Sequence, residues 1–350
     1  MEQFPCDGST RVRAELEVHD IVDTSVNETD AVPGTVGVGE AIEDWTGDAR
    51  FFEYSEAADP IGDGVISAIP AVSFPAALYA GGPSRIVPLD LSEELRTPYP
   101  ATSPALLASF VRINAGDELS LQPNATSQLL YCIRGRGRSL VDGKVVRWKE
   151  GDFVTLPATT AATHVAERES ALYHVVDTPL LEYLGAVAST PRFRPTTFTA
   201  EATQAKLAEV ASAPDADRRS RVSVLLNNRR FDQTLTATHT LWAMFGVLPA
   251  GRTQLPHRHQ SVAVDLIVDC LPGCYTLLGD RIDSGSAQIV DPIRVDWEPG
   301  GAFVTPPGKW HSHHNETDRD AHLIPIQDAG IHTYLRTLDI RFSTEESSSP

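Results

Sequence analysis

Leu248-Pro249-Ala250-Gly251, Pro256-His257-Arg258-His259, Val262-Ala263-Val264-Asp265-Leu266, Gly300-Gly301-Ala302-Phe303-Val304-Thr305-Pro306-Pro307 and Trp310-His311-Ser312-His313-His314 follow one another in the C-terminal part of this chain. Their apolar runs are short and Gly, Pro and Asp punctuate them. That pattern reads as antiparallel strands closing a sandwich or barrel. Two of the stretches hold five of the eleven histidines. Histidines one residue apart on a strand point to the same face, because side chains alternate with period two. His257 and His259 can therefore reach one metal ion. A third nitrogen from the later histidine stretch completes a facial set and leaves coordination positions open.

The same succession of turns occurs earlier. Gly116-Asp117-Glu118 is followed by Leu129-Leu130-Tyr131-Cys132-Ile133, by Gly135-Arg136-Gly137, and by Gly151-Asp152-Phe153-Val154-Thr155-Leu156-Pro157. Repetition of this kind predicts two barrels in a mainly β chain. Superposing the glycine turns places Gln122 and Asn124 at the positions of His257 and His259, Ala162 at that of His311, and His164 at that of His313. A lone histidine does not make a metal site, so the first copy is read as structural or dimerising. The Ala-rich pattern within 199–220 predicts a helix ended by Ala213-Pro214. The expected organisation is an acidic, partly extended arm over 1–70, a first barrel over 71–195 and a linker with a helix over 196–235. A metal-bearing barrel over 236–342 and a frayed tail over 343–350 follow.

Composition narrows the classes. Hydrophobic residues make up 41% of the 350-residue chain, as in ordinary globular proteins. No apolar run has the length of a membrane span, and the N-terminus lacks a basic stretch leading into an apolar one. The net charge is −18, and residues 1–60 hold fifteen acidic side chains against Arg11, Arg13 and Arg50. This balance argues against nucleic acid and membrane surfaces as partners. The four cysteines, Cys6, Cys132, Cys270 and Cys274, are too scattered for a disulfide framework, which fits a reduced, cytoplasmic setting. No glycine-rich nucleotide loop and no Gly-x-Ser-x-Gly elbow occurs.

The residues Ala237-Thr238-His239-Thr240-Leu241-Trp242, Leu248 to Gly251, Pro256 to His259, Thr305-Pro306-Pro307 and Trp310 to His313 together resemble the gentisate/salicylate 1,2-dioxygenase family of bicupins. The likeness is good over 220–325. It is weaker from Ile86-Val87-Pro88-Leu89-Asp90-Leu91-Ser92 to the end of the first barrel. It implies two double-stranded β-helix (jelly-roll) barrels and a homo-oligomer, commonly a tetramer. It also implies a single Fe(2+) held by His257, His259 and His311 without a carboxylate. The implied activity is that of a non-haem, extradiol-type dioxygenase that opens a salicylate-type aromatic acid with O2. The bond cut lies between the carboxyl-bearing and hydroxyl-bearing carbons. By the same resemblance His313 is catalytic, handling a proton or positioning substrate or oxygen, Arg221 meets the substrate carboxylate, and Trp242 forms an aromatic wall. The other readings are a solvent-facing histidine, a surface arginine and a core tryptophan. His314 faces away from the site.

Two departures bear on the substrate. Where the family carries an arginine six residues after the second histidine, this chain has Asp265, and strand parity points it into the barrel. Such a carboxylate pairs with an arginine such as Arg221 or Arg252, touches a donor on the substrate, or joins the metal shell. Gly246 stands where the family commonly has glutamine, leaving more room near the ring. The expected substrate is therefore a nitro-, halo- or amino-substituted salicylate, or gentisate. Two further readings of the chain remain: a metal-dependent isomerase or decarboxylase, and a bicupin that binds a ligand without turning it over.

Overall fold

A computed structural model describes residues 45–158, 161–214, 216 and 221–343. Most of the acidic arm (1–44) and of the C-terminal tail (344–350) lies outside the described residues. The chain divides into two compact units, Met1–Glu53 and Tyr54–Pro350, and everything below concerns the second. Among the described residues no helix is long and apolar enough to cross a membrane.

The second unit opens with β1 (Ser73–Phe74), β2 (Arg85–Pro88) and a helical turn α1 (Ser92–Leu95). The first barrel continues with β3 (Leu107–Ile113), β4 (Glu118–Leu121), β5 (Ser127–Arg134), β6 (Arg136–Val141), β7 (Lys144–Lys149), β8 (Phe153–Pro157), β9 (Ala162–Ala166) and β10 (Ser170–Val176). Helix α2 (Thr178–Leu184), β11 (Thr196–Phe198) and helix α3 (Ala200–Ala211) lead to the second barrel. This comprises β12 (Val222–Leu225), β13 (Trp242–Leu248), β14 (Thr253–Arg258), β15 (Ala263–Asp269), β16 (Cys274–Gly279), β17 (Ile293–Asp296), β18 (Ala302–Thr305), β19 (Trp310–Asn315) and β20 (Ala321–Gln327). Helix α4 (Ala329–Leu335) and β21 (Arg341–Phe342) close it.

The strand orders carry the duplication. One six-stranded sheet runs β11-β8-β5-β10-β3-β2 and the other β1-β18-β15-β20-β13-β12; five of the six places repeat ten strands later, and β1 takes the outer place that β11 holds in the first. The opposing sheets run β4-β9-β6-β7 and β21-β14-β19-β16-β17, so the second differs by one added strand, β21. The linker is more than a helix, because β11 joins the first barrel and β12 the second. β1 also crosses over to pair with β18.

Local chemistry explains the corners. Asp142 and Gly143 both take positive φ (47° and 72°), the pairing a two-residue hairpin between β6 and β7 requires. The Thr199 hydroxyl caps α3 by accepting from the Ala202 amide. Helices α2 and α4 each follow an aspartate that reaches back to a strand in its own barrel. Asp177 accepts from the Thr126 and Ser127 amides, and Asp328 accepts from the Val262 amide at 2.9 Å.

Strand parity sorts the core. In β15, Val264 and Leu266 join Phe110, Tyr173, Leu129 and Ile324 in an apolar cluster shared by the two six-stranded sheets. Ile267 on the opposite face packs with Phe303, Leu323 and Trp297 inside the second barrel. The first barrel is filled by its own cluster, which includes Leu121, Leu130, Trp148 and Leu172. Burying these side chains stabilises the fold by roughly 1.5–3 kcal/mol each. Asp265 shares the inward face of Ile267, as its parity predicts.

Candidate metal centre

β14 and β19 lie side by side with His257 opposite His311. His259 follows the end of β14 and is buried like both of them. One ligand atom from each of the three imidazoles lies within 4.8 Å of the other two, with no carboxylate in the group. Whether these residues suit a metal ion depends on which ring nitrogen is free. His259 Nδ1 lies 2.9 Å from the Ser261 carbonyl and 3.1 Å from its hydroxyl. His311 Nδ1 lies 3.0 Å from the Lys309 carbonyl. A carbonyl can only accept, so both Nδ1 atoms carry the proton and both Nε2 lone pairs are left for a metal. Burial holds His257 and His311 well below the ordinary histidine range, and His259 at about 4, which keeps all three neutral. The donor set therefore fits a divalent ion that accepts imidazole.

Sequence reasoning missed the residues behind these ligands. The Ser261 hydroxyl donates to Gln327 Oε1 at 2.9 Å, so the chain behind His259 runs into β20. The hydroxyamino acid two residues after the second histidine was the available signal.

His313 sits beside the triad in a network of its own. Arg221 Nη2 lies 3.0 Å from His313 Nε2, and a guanidinium only donates, so Nε2 accepts and the proton is on Nδ1. That Nδ1 donates to Thr276 Oγ1 at 2.8 Å, where Trp297 Nε1 also donates at 2.8 Å. Arg221 further contacts Gln254 Oε1 at 3.3 Å and Met244 Sδ at 3.9 Å, and none of these partners is acidic. Burial lowers its pKa, with Asp265 opposing from a distance. A cavity of about 90 Å³ adjoins this group and is lined by Arg221, Ser223, Arg252, Thr253, Gln254 and His313.

The first barrel keeps a relic of that network. Trp148 Nε1 donates to Ser139 Oγ at 3.0 Å, and Ser139 Oγ lies 2.8 Å from His164 Nδ1. His164 Nε2 is buried without a partner among the described residues, where His313 has Arg221. The match of His164 to His313 therefore holds, but the match of Gln122 to His257 does not. Ala162 lies opposite Leu121, as His311 lies opposite His257. The pairing of β14 with β19 shifts between Gln254 and His257, adding a residue that β4 lacks, so counting from the glycine turn lands one position late. The first barrel thus has an apolar core leucine where the second has a ligand.

The remaining candidates divide. Asp265 is buried, and its Oδ2 accepts from the Thr305 hydroxyl at 2.6 Å; Thr305, rather than Arg221 or Arg252, is its partner. Burial pushes its pKa up to about 6, against the opposing Thr305 bond and the more distant Arg221. Trp242 is half-buried, and its indole N–H is buried without a hydrogen-bond partner among the described residues. Gly246 does not open space as expected, because a Cβ there would stand 2.5 Å from Ser223 Oγ. Ser223 Oγ takes up the space beside Gly246. His314 stacks on Tyr275 at 4.6 Å between ring centroids and takes no part in the triad.

No family model matches this chain. It is 28% identical over 124 residues to 1-hydroxy-2-naphthoate 1,2-dioxygenase of Nocardioides sp. (strain KP7). That alignment covers 35% of this chain and 29% of the relative, so the likeness spans under a third of the relative's length. Among solved structures, salicylate 1,2-dioxygenase from Pseudaminobacter salicylatoxidans matches with a TM-score of 0.62 at 15% identity, over 79% of this chain and 88% of that one. Its adduct with gentisate matches with a TM-score of 0.59, also at 15% identity, over 79% and 86%. The fold is thus the two-barrel cupin fold that the motifs imply. The relatives fall among the ring-cleaving dioxygenases that those motifs resemble.

Proposed function

We propose that this protein is an Fe(II)-dependent dioxygenase that opens a salicylate-type aromatic acid between its carboxyl-bearing and hydroxyl-bearing carbons. The observation that carries the proposal is the cluster of His257, His259 and His311, buried, neutral and free of carboxylates, in one barrel of this fold. Fe(II) held by these residues would supply the electronic route between ring and O2, and would template both. Both oxygen atoms end in the ring-opened product, so no external reductant is needed. The cut is not extradiol, which is cleavage beside one of two vicinal hydroxyls, because the bond here lies between a carboxyl-bearing and a hydroxyl-bearing carbon.

The chain's own residues bind and orient. Arg221 is a cation without an acidic hydrogen-bond partner among the described residues, beside the cavity, and meets the substrate carboxylate. His313, with its proton fixed on Nδ1 by Thr276, offers Nε2 as an acceptor once Arg221 turns to the substrate. Trp242 forms an aromatic wall of the site, its indole N–H without a hydrogen-bond partner among the described residues. Asp265, where the resemblance leads one to expect arginine, favours a ring bearing a donor or an uncharged substituent: an amino-, nitro- or halo-salicylate, or gentisate. A homo-oligomer and a reducing, cytoplasmic setting belong to the same proposal. Oxygen uptake by Fe(II)-loaded protein with these acids tests it, and stoichiometric O2 consumption with loss of ring absorbance is the expected result.

A further inference from the structure

The three ligand imidazoles are not equally supported. His259 and His311 hold carbonyl oxygens at 2.9 and 3.0 Å through Nδ1, whereas the nearest such oxygen to His257 Nδ1, that of Leu255, lies at 3.4 Å. At 3.4 Å that hydrogen bond is longer than the usual range and holds the ring plane more weakly than the other two. Besides the His311 ring at 4.0 Å, His257 faces Phe342, in register with it across the β14–β21 pair. The two rings are nearly parallel, 21° apart, with centroids at 6.1 Å. That is an offset stack within the range where aromatic pairs attract.

β21 is also the one strand by which the second barrel's smaller sheet exceeds the first's among the described residues. The barrel that carries the histidine triad has it, and the barrel with Leu121 and Ala162 at the matching places does not. A second tie holds the strap on the ligand strand. The Asp339 amide donates to Gln260 Oε1 at 2.7 Å, next to His259.

We propose that Phe342 is a positioning residue for the metal centre, with the C-terminal strand reinforcing the long hydrogen bond of His257. The inference rests on the reading of His257, His259 and His311 as metal ligands. Without Phe342 the His257 ring keeps only that long bond and the His311 ring at 4.0 Å between centroids, and the alignment of one ligand loosens. Outer partners of ligating histidines typically contribute tenfold to a hundredfold in metal affinity, and a stack that reinforces a long hydrogen bond should lie near the lower end.

The test uses the full chain loaded anaerobically with Co(II) alone, whose visible absorption reports the ligand set without any turnover. Affinity is read by competition with a fluorescent chelator, and release by mixing with excess EDTA. Phe342→Ala should weaken Co(II) binding about tenfold, speed its release and alter the visible bands. Phe342→Tyr, which keeps the ring, should behave as wild type. Gln260→Ala, which frees the strap but leaves both rings, should fall between them and serves if the alanine variant does not fold. Wild-type affinity and release in both Phe342→Ala and Gln260→Ala would overturn the inference while leaving the metal centre standing. Failure of the wild type to bind Co(II), or undiminished binding in His311→Ala, would overturn the ligand assignment and this inference with it.

Discussion

Replacing Asp265 by Asn should stabilise the metal-free protein at neutral pH and do nothing in acid. Asp265 is buried, with the Thr305 hydroxyl as its hydrogen-bond partner and no arginine paired to it among the described residues. Its pKa rises from 3.8 to about 6, chiefly because burial penalises the charged form. The folded protein thus holds this proton more tightly than the unfolded chain. Stability carries no penalty from this group below the unfolded value, and falls as pH rises through the folded one. The displacement corresponds to about 3 kcal/mol at pH 7.5. Asparagine accepts the Thr305 hydroxyl equally well and never ionises, so it escapes that loss. Asp328, pushed up to about 7 by burial, titrates in both proteins and cancels from the difference. The assay is equilibrium urea unfolding of chelator-stripped protein at several pH values between 4 and 8. The expected stability difference is near zero at the acid end and grows to about 3 kcal/mol in favour of Asn at pH 7.5. A difference that does not change with pH, or a wild type more stable at pH 7.5, would show that Arg221 neutralises Asp265 after all.

Three further outcomes follow from the same geometry. Ser261→Ala removes the hydroxyl 3.1 Å from His259 Nδ1 but keeps the carbonyl at 2.9 Å, so metal affinity by chelator competition should fall up to about tenfold without loss of the site. Arg221→Met should lower kcat/KM for a carboxylated ring by about tenfold to a hundredfold, the worth of one charge-assisted hydrogen bond. An unchanged kcat/KM would place the carboxylate elsewhere. Gly246→Ala puts a Cβ 2.5 Å from Ser223 Oγ and should cost about 1–3 kcal/mol in unfolding free energy. Adding Ser223→Ala should restore most of that, since the clash is with the hydroxyl.

Period two put His257 with His259 and His311 with His313, and repeated glycine turns revealed the second barrel. These signals survive because they are local: a strand's parity does not depend on what it pairs with. The features that escaped are non-local. The extra residue between Gln254 and His257 is visible only against β19, which is why a count from Gly116 put Gln122 rather than Leu121 at the ligand position. Parity pointed Asp265 inward, yet its partner Thr305 comes from β18, and charge alone suggested an arginine. Ser223 beside Gly246 and Phe342 over His257 depend on which strands become neighbours. The Trp148–Ser139–His164 and Trp297–Thr276–His313 networks were open to detection, because each repeats the other at matching places in the two copies.

The central claim is that the three-histidine cluster turns O2 onto an aromatic ring acid. Its most direct test is oxygen consumption by anaerobically Fe(II)-loaded protein given salicylate, gentisate and the nitro-, chloro- and amino-salicylates, with His311→Ala alongside. The account predicts one O2 consumed per ring opened with at least one of these acids, loss of the aromatic absorbance, and neither iron nor turnover in the variant. Bound iron with no oxygen uptake on any of them would contradict it and direct the search to redox-neutral chemistry at the same three histidines.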